Sequence, residues 1–558
     1  MAESTGTRAV TSAPSTQTWV ERLVSASQKK PLSESRLLLL FLCGLTLICG
    51  SMAFIGAVPT RIYGHDIFIY LGNGWRVISG QRPHVDFTTP WGPIGFLISA
   101  LGLKICRYSA VGIGFGTAIL GAAVGIWSFF LSKNSLTRPG RLTLSFFLSA
   151  LVVAPYPLGL AFINSSSAMI YNRYGYALLG LVLLESFLVT RRAAIHQTED
   201  WVLGLSSGAA LGLMLFLKAS YFFTAVALMV CLGWFFRRFV IQRILGIFVG
   251  FSAVSLCVLA YLRFHVSAMM ADLRMASGAR AETMKFPLFI ILDHWPVLLG
   301  IVLFSLAAAL LVADTDKQWG GARLATLGAI VFFADVAVIR SNAQNDGFII
   351  CAMFAILVID AIAQEQNRLP LAQFQAKIPA FAGVVFLGVL LFIPQFASDL
   401  MGLAFATWEK GRAAAPGVLR FTSPNLKPLI LYESDDNPPS EGRMFTNYVN
   451  DGVALLARAS RPDETVLTMD VTNPFPYAMG RRPARGGHAA PTYHYNMTDR
   501  FRPSPEWFFG DADIVMVPKR PSQGDKYYLD FYKAYGPWLK DHFSLAAETS
   551  VWWMYRRK

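Results

Sequence analysis

The sequence predicts a polytopic α-helical membrane protein that ends in a small α/β domain, and three observations carry the prediction. Its 558 residues are 54% hydrophobic and only 15% charged, whereas soluble chains carry about a quarter charged residues; a soluble fold of this size would lack a polar coat. Apolar stretches long enough to cross roughly 30 Å of hydrocarbon as helix recur up to residue 404. From residue 405 onward the pattern changes to short apolar runs separated by Pro, Gly and charged residues, the punctuation of strands and helices in a compact domain. The same composition excludes disordered, collagen-like and disulfide-rich secreted classes.

Residues 1–36 are polar, rich in Ser and Thr, and carry Arg22, Lys29, Lys30 and Arg36; they are expected to form a disordered cytoplasmic tail. Leu37 to Val58 is the first span, too long and too late in the chain for an ordinary cleaved signal peptide. Further spans are expected near 109–131, 142–163, 174–190, 201–217, 219–236, 244–262, 288–313, 324–339, 347–363 and 379–400. Pro93 to Cys106 has 14 residues, short for a span, and charge decides its place. If it lies on the surface, the loops near 132–141, 191–200, 237–243, 314–323 and 364–378 are cytoplasmic and hold 12 Lys/Arg, against seven in the opposite loops, four of them in one long loop. If it spans, the bias reverses. The positive-inside rule selects an interfacial helix, hence eleven spans, N-terminus inside and C-terminus outside. The domain plan is a tail (1–36), a transmembrane domain (37–404, with an outer loop 59–108) and an extracytoplasmic α/β domain (405–558).

In that last region TVLTMDV and DADIVMVP read as buried strands, KYYLDFYKAYGPWLKDHF as a Tyr-rich amphipathic helix interrupted near Pro537, and SVWWMYRR as a final strand. The net charge of +14 divides into +11 up to residue 404 and +3 beyond it, so most of the excess flanks membrane spans. No basic stripe with interleaved aromatics appears, and nucleic acid is not an expected partner. The six cysteines all sit in or beside apolar stretches, so neither a disulfide framework nor a zinc site is expected in the C-terminal domain.

The first outer loop carries the most specific pattern. Asp66 stands just beyond the first span; an amphipathic segment follows, then SGQRPHVDFTTPWGP, then the interfacial stretch. This arrangement resembles the GT-C glycosyltransferases of the protein mannosyltransferase and aminoarabinose transferase kind. In that family the first outer loop has an acidic motif, two helices along the membrane, and between them a Gly-x-x-Pro-Tyr-x-Asp-Phe turn and a Pro-rich step. The matching residues are Gly80, Pro83, His84, Asp86, Phe87, Pro90 and Pro93. Relatives often have Glu after the Asp and Lys in the Pro-rich step; this chain has Ile67 and Trp91. The resemblance implies a GT-C fold, a polyprenyl-phosphate sugar donor and a glycan or lipid acceptor; the short loops suit a bacterial inner membrane, with the C-terminal domain periplasmic. The resemblance also implies a phosphate-binding Lys after a Gly-rich fifth span, which is Lys218 here.

Chemistry gives its own reasons for these residues. Moving a sugar off a lipid phosphate needs a base for the acceptor hydroxyl and cations for the departing phosphate. Asp66 is the candidate base, with His65 beside it on the substrate. Asp86 is a candidate substrate contact whose alternative task is to hold its own turn. For the phosphate the outer edge offers Arg173, Lys218 and Arg340. Lys218 interrupts an otherwise apolar stretch at 201–236, where a tight hairpin would bring it to the headgroups; its alternative is snorkelling. Arg173 at the lip of a span has ordinary headgroup contact as its alternative, and Arg340 has pairing with Asp335 or Asp346. Of the acids placed within spans, Asp335 and Asp293 lie toward the outer side, while Glu185 and Asp360 lie toward the cytoplasm as structural groups. No metal is expected, because His65 has no second ligand at useful spacing, and no cofactor. The loop with His488, His494 and Asp499 offers either acceptor recognition or plain loop structure.

The expected activity is therefore transfer of a sugar from a polyprenyl-phosphate carrier to an extracytoplasmic glycan or lipid, with inversion at the anomeric centre. Three rivals stay open: a transporter or flippase, which would place its site at the midplane between repeats; a polysaccharide polymerase or ligase; and a non-catalytic envelope-assembly protein with the same fold.

Overall fold

A computed structural model of the protein describes residues 33–191, 197–237, 239–283, 292, 295–313, 321–342, 347–366, 371–412, 417–433, 441–521 and 525–558. The predicted tail up to residue 32, and Asp293, Asn345 and Asp346, lie outside the described residues. The chain is a polytopic helical membrane protein, and helices stand at all the predicted spans. They are α1 (Glu34–Ile55), then α2 (Ile67–Ile78) and α3 (Ile94–Ile105) in the first loop. Next come α4 (Gly112–Leu131), α5 (Arg138–Val153), α6 (Ile170–Arg191), α7 (Gln197–Leu215), α8 (Ala219–Phe235) and α9 (Ile241–Tyr261). The series ends with α10 (Val266–Thr283), α11 (Trp295–Ala313), α12 (Gly321–Asn342), α13 (Ile349–Gln366) and α14 (Leu371–Gly411).

Among the described residues six helices are long and apolar enough to cross a membrane by length and composition: α1, α4, α9, α11, α12 and α14. Helix α6 keeps more polar residues because protein rather than lipid surrounds it: residues 172–189 are buried throughout, as are residues 348–358 in and beside α13. At 12 residues, α3 reaches only about 18 Å, too short to span. The sequence expectation fails at three places. The span expected over 142–163 stops at Val153, where Pro155 and Pro157 follow and disfavour helix. The long loop expected after residue 262 contains α10, an eighteen-residue helix. And α14 runs for 41 residues through Pro379 and Pro394, roughly 60 Å, about twice the hydrocarbon thickness.

The last turn of α14 meets the start of the first loop: Glu409 pairs with Arg61 at 3.0 Å, and the Lys410 ammonium donates to the Ile55 carbonyl at 2.6 Å. Beyond it the chain forms a two-stranded antiparallel ribbon, β1 (Val418–Leu419) with β2 (Leu431–Tyr432), and then α15 (Glu441–Ala459). The main sheet uses β3 (Val466–Thr468), β4 (Ile514–Pro518), β5 (Phe543–Glu548) and β6 (Trp552–Arg557) in the order β3-β4-β6-β5. Strands β3 and β4 are parallel, with Leu467 opposite Val515; β6 is antiparallel to both its neighbours. Between β3 and β4 lie the short helices α16 (Phe475–Met479) and α17 (Pro505–Phe509), and α18 (Asp525–His542) precedes β5. The core under the sheet is Leu467, Met469, Val515 and Val517 against Phe508, Tyr535 and Leu539. Helix α18 continues through Pro537 instead of breaking there: proline removes one hydrogen-bond donor, and apolar packing of Tyr535, Leu539 and Phe543 holds the rest.

The first loop is built into this C-terminal region. Thr60 bridges to Leu431 and Thr88 to His488. Asn73 donates to the Ala489 carbonyl at 3.0 Å, Trp75 to Arg481 at 2.8 Å and Gln81 to Pro483 at 2.8 Å. Burial of these polar groups is tolerable because each is satisfied.

Candidate active site

A hollow with a volume of about 900 Å3 lies where the first loop, the α7–α8 hairpin, α9, α10 and the end of α12 converge. That is at the upper end for a small-molecule site. Its lining includes the apolar side chains of Phe223, Phe251, Leu259, Val266 and Met270, of which Phe223 stays 65% exposed. It also includes four basic residues, Lys218, Arg274, Arg280 and Arg340, with Asn342 and Tyr495.

Lys218 owes its place to the hairpin the sequence suggested. Helix α7 stops at Leu215, and Lys218 is the N-cap residue of α8 with extended backbone angles. The Pro-rich step of the first loop docks onto this tip: Gly92 donates to the Leu217 carbonyl at 3.1 Å and Ile94 to the Phe216 carbonyl at 3.0 Å. Only glycine fits at 92, since a Cβ there would lie 2.0 Å from the Phe216 carbonyl oxygen. The Lys218 ammonium donates to the amide oxygens of Asn172, at 3.0 Å, and Asn342. It also lies 5.2 Å from the Tyr171 ring centre and 5.7 Å from that of Tyr221. Neutral amides and ring faces orient the cation. Trp91 packs on Tyr171 with ring centres 4.9 Å apart, so this departure from the family pattern forms part of the cavity wall.

Helix α10 supplies Arg274 and Arg280, which the sequence reading counted only as loop charges. A signal was present: Met270, Leu273, Arg274, Ser277, Arg280 and Ala281 line the cavity at the i, i+3, i+4, i+7 spacing of one helix face. The helix is tied to the first loop by Asp272, whose Oδ2 accepts from the Thr89 amide at 3.0 Å and lies 2.9 Å from His84 Nδ1. Burial holds the Asp272 carboxyl above its usual range, with the His84 contact opposing.

The other expected site residues are distributed differently. Lys218 and Arg340 share the cavity; Arg173 does not line it. Arg173 is 1% exposed and is committed to Asp399 at 2.9 Å and to the carbonyls of Tyr156 and Leu151 at 2.9 and 3.0 Å. A guanidinium inside a helix bundle needs such partners, so its expected place at the lip is corrected to an internal ion pair. Asp86 is engaged in its own turn: its carboxylate accepts from the Arg82 amide at 2.7 Å and faces Arg485 at 3.8 Å. Asp335 accepts from the Cys351 amide at 2.8 Å, and Asp360 from Thr137 and Gln364.

Asp66 begins α2, with its Oδ1 3.1 Å from His65 Nε2. His65 is 8% exposed and packs edge-on against Phe445. Neither residue lines the cavity. Tyr70, one turn along α2, has its hydroxyl held well above its usual range by burial first, then by the charges of Tyr171 and Asp66. Asp66 and Tyr70 stand one turn apart at the start of α2, while Tyr171 and Lys218 line the cavity.

In the C-terminal loop, His494 pairs with Asp530 at 2.8 Å and Asp499 accepts from the Tyr493 hydroxyl at 2.5 Å. His488 is buried, and its Nδ1 accepts from the Ala490 amide at 3.1 Å. Burial pushes its pKa down to about 3. Because this lies below the unfolded value of about 6.5, His488 stabilises the fold fully above that pH. The contribution falls by about 1.4 kcal/mol per unit as the medium is acidified toward pH 3. The melting temperature of detergent-solubilised protein should therefore drop more steeply below pH 6.5 in the wild type than in His488→Asn, whose amide oxygen replaces the ring acceptor; parallel curves would refute this.

No family model matches this chain, and no curated protein matches it. Among solved structures the chain is similar to ArnT from Cupriavidus metallidurans in the apo state, with a TM-score of 0.49 at 13% identity over 93% of this chain and 98% of that one. It is also similar to ArnT from the same organism bound to undecaprenyl phosphate, with a TM-score of 0.47 at 12% identity over 94% and 98%. At that distance the chemistry has to come from the residues of this chain.

Proposed function

We propose that this protein is an integral-membrane glycosyltransferase that moves a sugar from a polyprenyl-phosphate donor to an extracytoplasmic glycan or lipid. The observation that carries the reading is the mixed lining of the cavity: apolar side chains suited to a lipid chain together with four cations suited to a phosphate. Lys218 and the arginines stabilise charge on the departing carrier phosphate. Asp66 accepts the proton of the acceptor hydroxyl, and the oxygen attacks the anomeric carbon as the bond to phosphate breaks, inverting that centre. The acceptor enters from the Asp66 side, because the cavity itself is cationic. The charge bias of the loops supports a cytoplasmic N-terminus and an extracytoplasmic C-terminal region, and the short loops suit a bacterial inner membrane.

Lys218→Ala tests the phosphate role. Loss of one charged hydrogen-bonding partner should raise the KM for the lipid-linked donor about 10- to 100-fold in a protein that still folds. Unchanged donor kinetics would assign Lys218 to snorkelling among headgroups.

A further inference from the structure

Part of the cavity lining comes from the C-terminal region. The C-terminal region sends Tyr495 and Asn496 into it, across more than 200 residues of sequence from α10. The loop tip is rigidly built. His494 takes a left-handed backbone angle, φ 60°, and its amide donates to the Met497 carbonyl at 2.8 Å. Asn496 locks the tip from both ends: its side chain accepts from the Thr492 amide at 2.9 Å and donates to the Ala490 carbonyl at 2.7 Å. The same loop is fastened to α10 beyond the tip. Thr498 donates to Glu282 at 2.7 Å, and the Phe501 ring lies over Gly278, where a Cβ would fall 2.4 Å from it.

What this rigid tip presents is the Tyr495 ring, laid 3.9 Å from the Arg280 guanidinium carbon. Arg280 Nη2 also donates to the Tyr495 hydroxyl at 3.2 Å and to the Asn342 carbonyl at 3.0 Å. Ring face and carbonyl together fix the plane of the guanidinium. Nη1 takes part in none of these bonds, and the residue lines the cavity. Resting on the donor-site reading above, we propose that Tyr495 is a positioning residue: the C-terminal domain uses it to hold Arg280 in the orientation that receives the phosphate of the lipid-linked donor. The C-terminal domain thereby completes the donor site and does not serve acceptor recognition alone.

The test is equilibrium binding of a short-chain polyprenyl monophosphate to the purified full-length protein. Tyr495→Ala should weaken binding about tenfold, the size of one stacked cation–π contact, while Tyr495→Phe, which keeps the ring, should stay within about threefold of wild type. In Arg280→Ala, which binds more weakly than wild type, adding Tyr495→Ala should cost nothing further, because the residue it positions is gone. Mere damage to the loop would instead add to the Arg280→Ala loss, and such additivity would overturn the proposal. Wild-type binding by Tyr495→Ala alongside weakened binding by Arg280→Ala would overturn the positioning role and leave the donor site standing. Wild-type binding by Lys218→Ala and Arg280→Ala alike would remove the donor-site reading and this proposal together.

Discussion

Replacing Asp66 with Asn should lower sugar transfer about 100- to 10,000-fold, the usual cost of losing a general base, with expression and melting temperature little changed. The asparagine keeps the size of the side chain and can still accept from the His65 ring, 3.1 Å away in the wild type, but it cannot take a proton. The small structural effect is expected because the Asp66 side chain makes no capping bond to α2. Asp86→Asn should show the opposite balance, losing more stability than activity, because its carboxylate holds the Arg82 amide. Near-normal transfer by Asp66→Asn would reject this mechanism. Since neither Asp66 nor His65 lines the cavity, a protein that binds the lipid without transferring sugar would then be the better account.

Removing Asp399 should be the most damaging single change to the fold. One of its oxygens receives three donors: Arg173 at 2.9 Å, the Tyr156 hydroxyl at 2.8 Å and Gln395 at 2.9 Å. Asp399→Ala leaves Arg173 charged, unpaired and inside the bundle, which costs about 3–5 kcal/mol where such pairs have been broken. Folded protein after detergent extraction should fall to a small fraction of wild type. The double variant Arg173→Met, Asp399→Leu should recover much of it, since apolar replacement of a buried pair is often neutral. It should also keep donor binding, because Arg173 has no part in the cavity. Lost donor binding in a well-folded double variant would return Arg173 to the site.

These two residues show what the sequence made legible. The spans were legible because hydrocarbon thickness sets a length that composition alone must satisfy. Lys218 was legible because one charge in an apolar stretch has few places to go, and the hairpin tip is the cheapest. Arg173 misled for the converse reason. A cation at a span end looks the same in sequence whether it faces headgroups or turns inward to a carboxylate more than 200 residues away, and only the fold, which brings Asp399 to Arg173, decides. Arg274 and Arg280 were hidden because α10 is polar enough to pass for a loop, although its cavity face repeats with helical period. Tyr495 carried no local signal at all: its role depends on how a C-terminal turn meets α10.

The central claim, a cavity that binds a lipid-linked sugar and gives up its sugar, is tested most directly by transfer itself. Purified wild-type protein would be offered a panel of polyprenyl-phosphate hexoses and pentoses with a cell-envelope extract as acceptor, and release of free polyprenyl monophosphate would be measured. The account predicts release with at least one donor, strongly reduced by Asp66→Asn and shifted to higher donor concentration by Lys218→Ala. No release from any donor, together with no binding of the monophosphate, would contradict it.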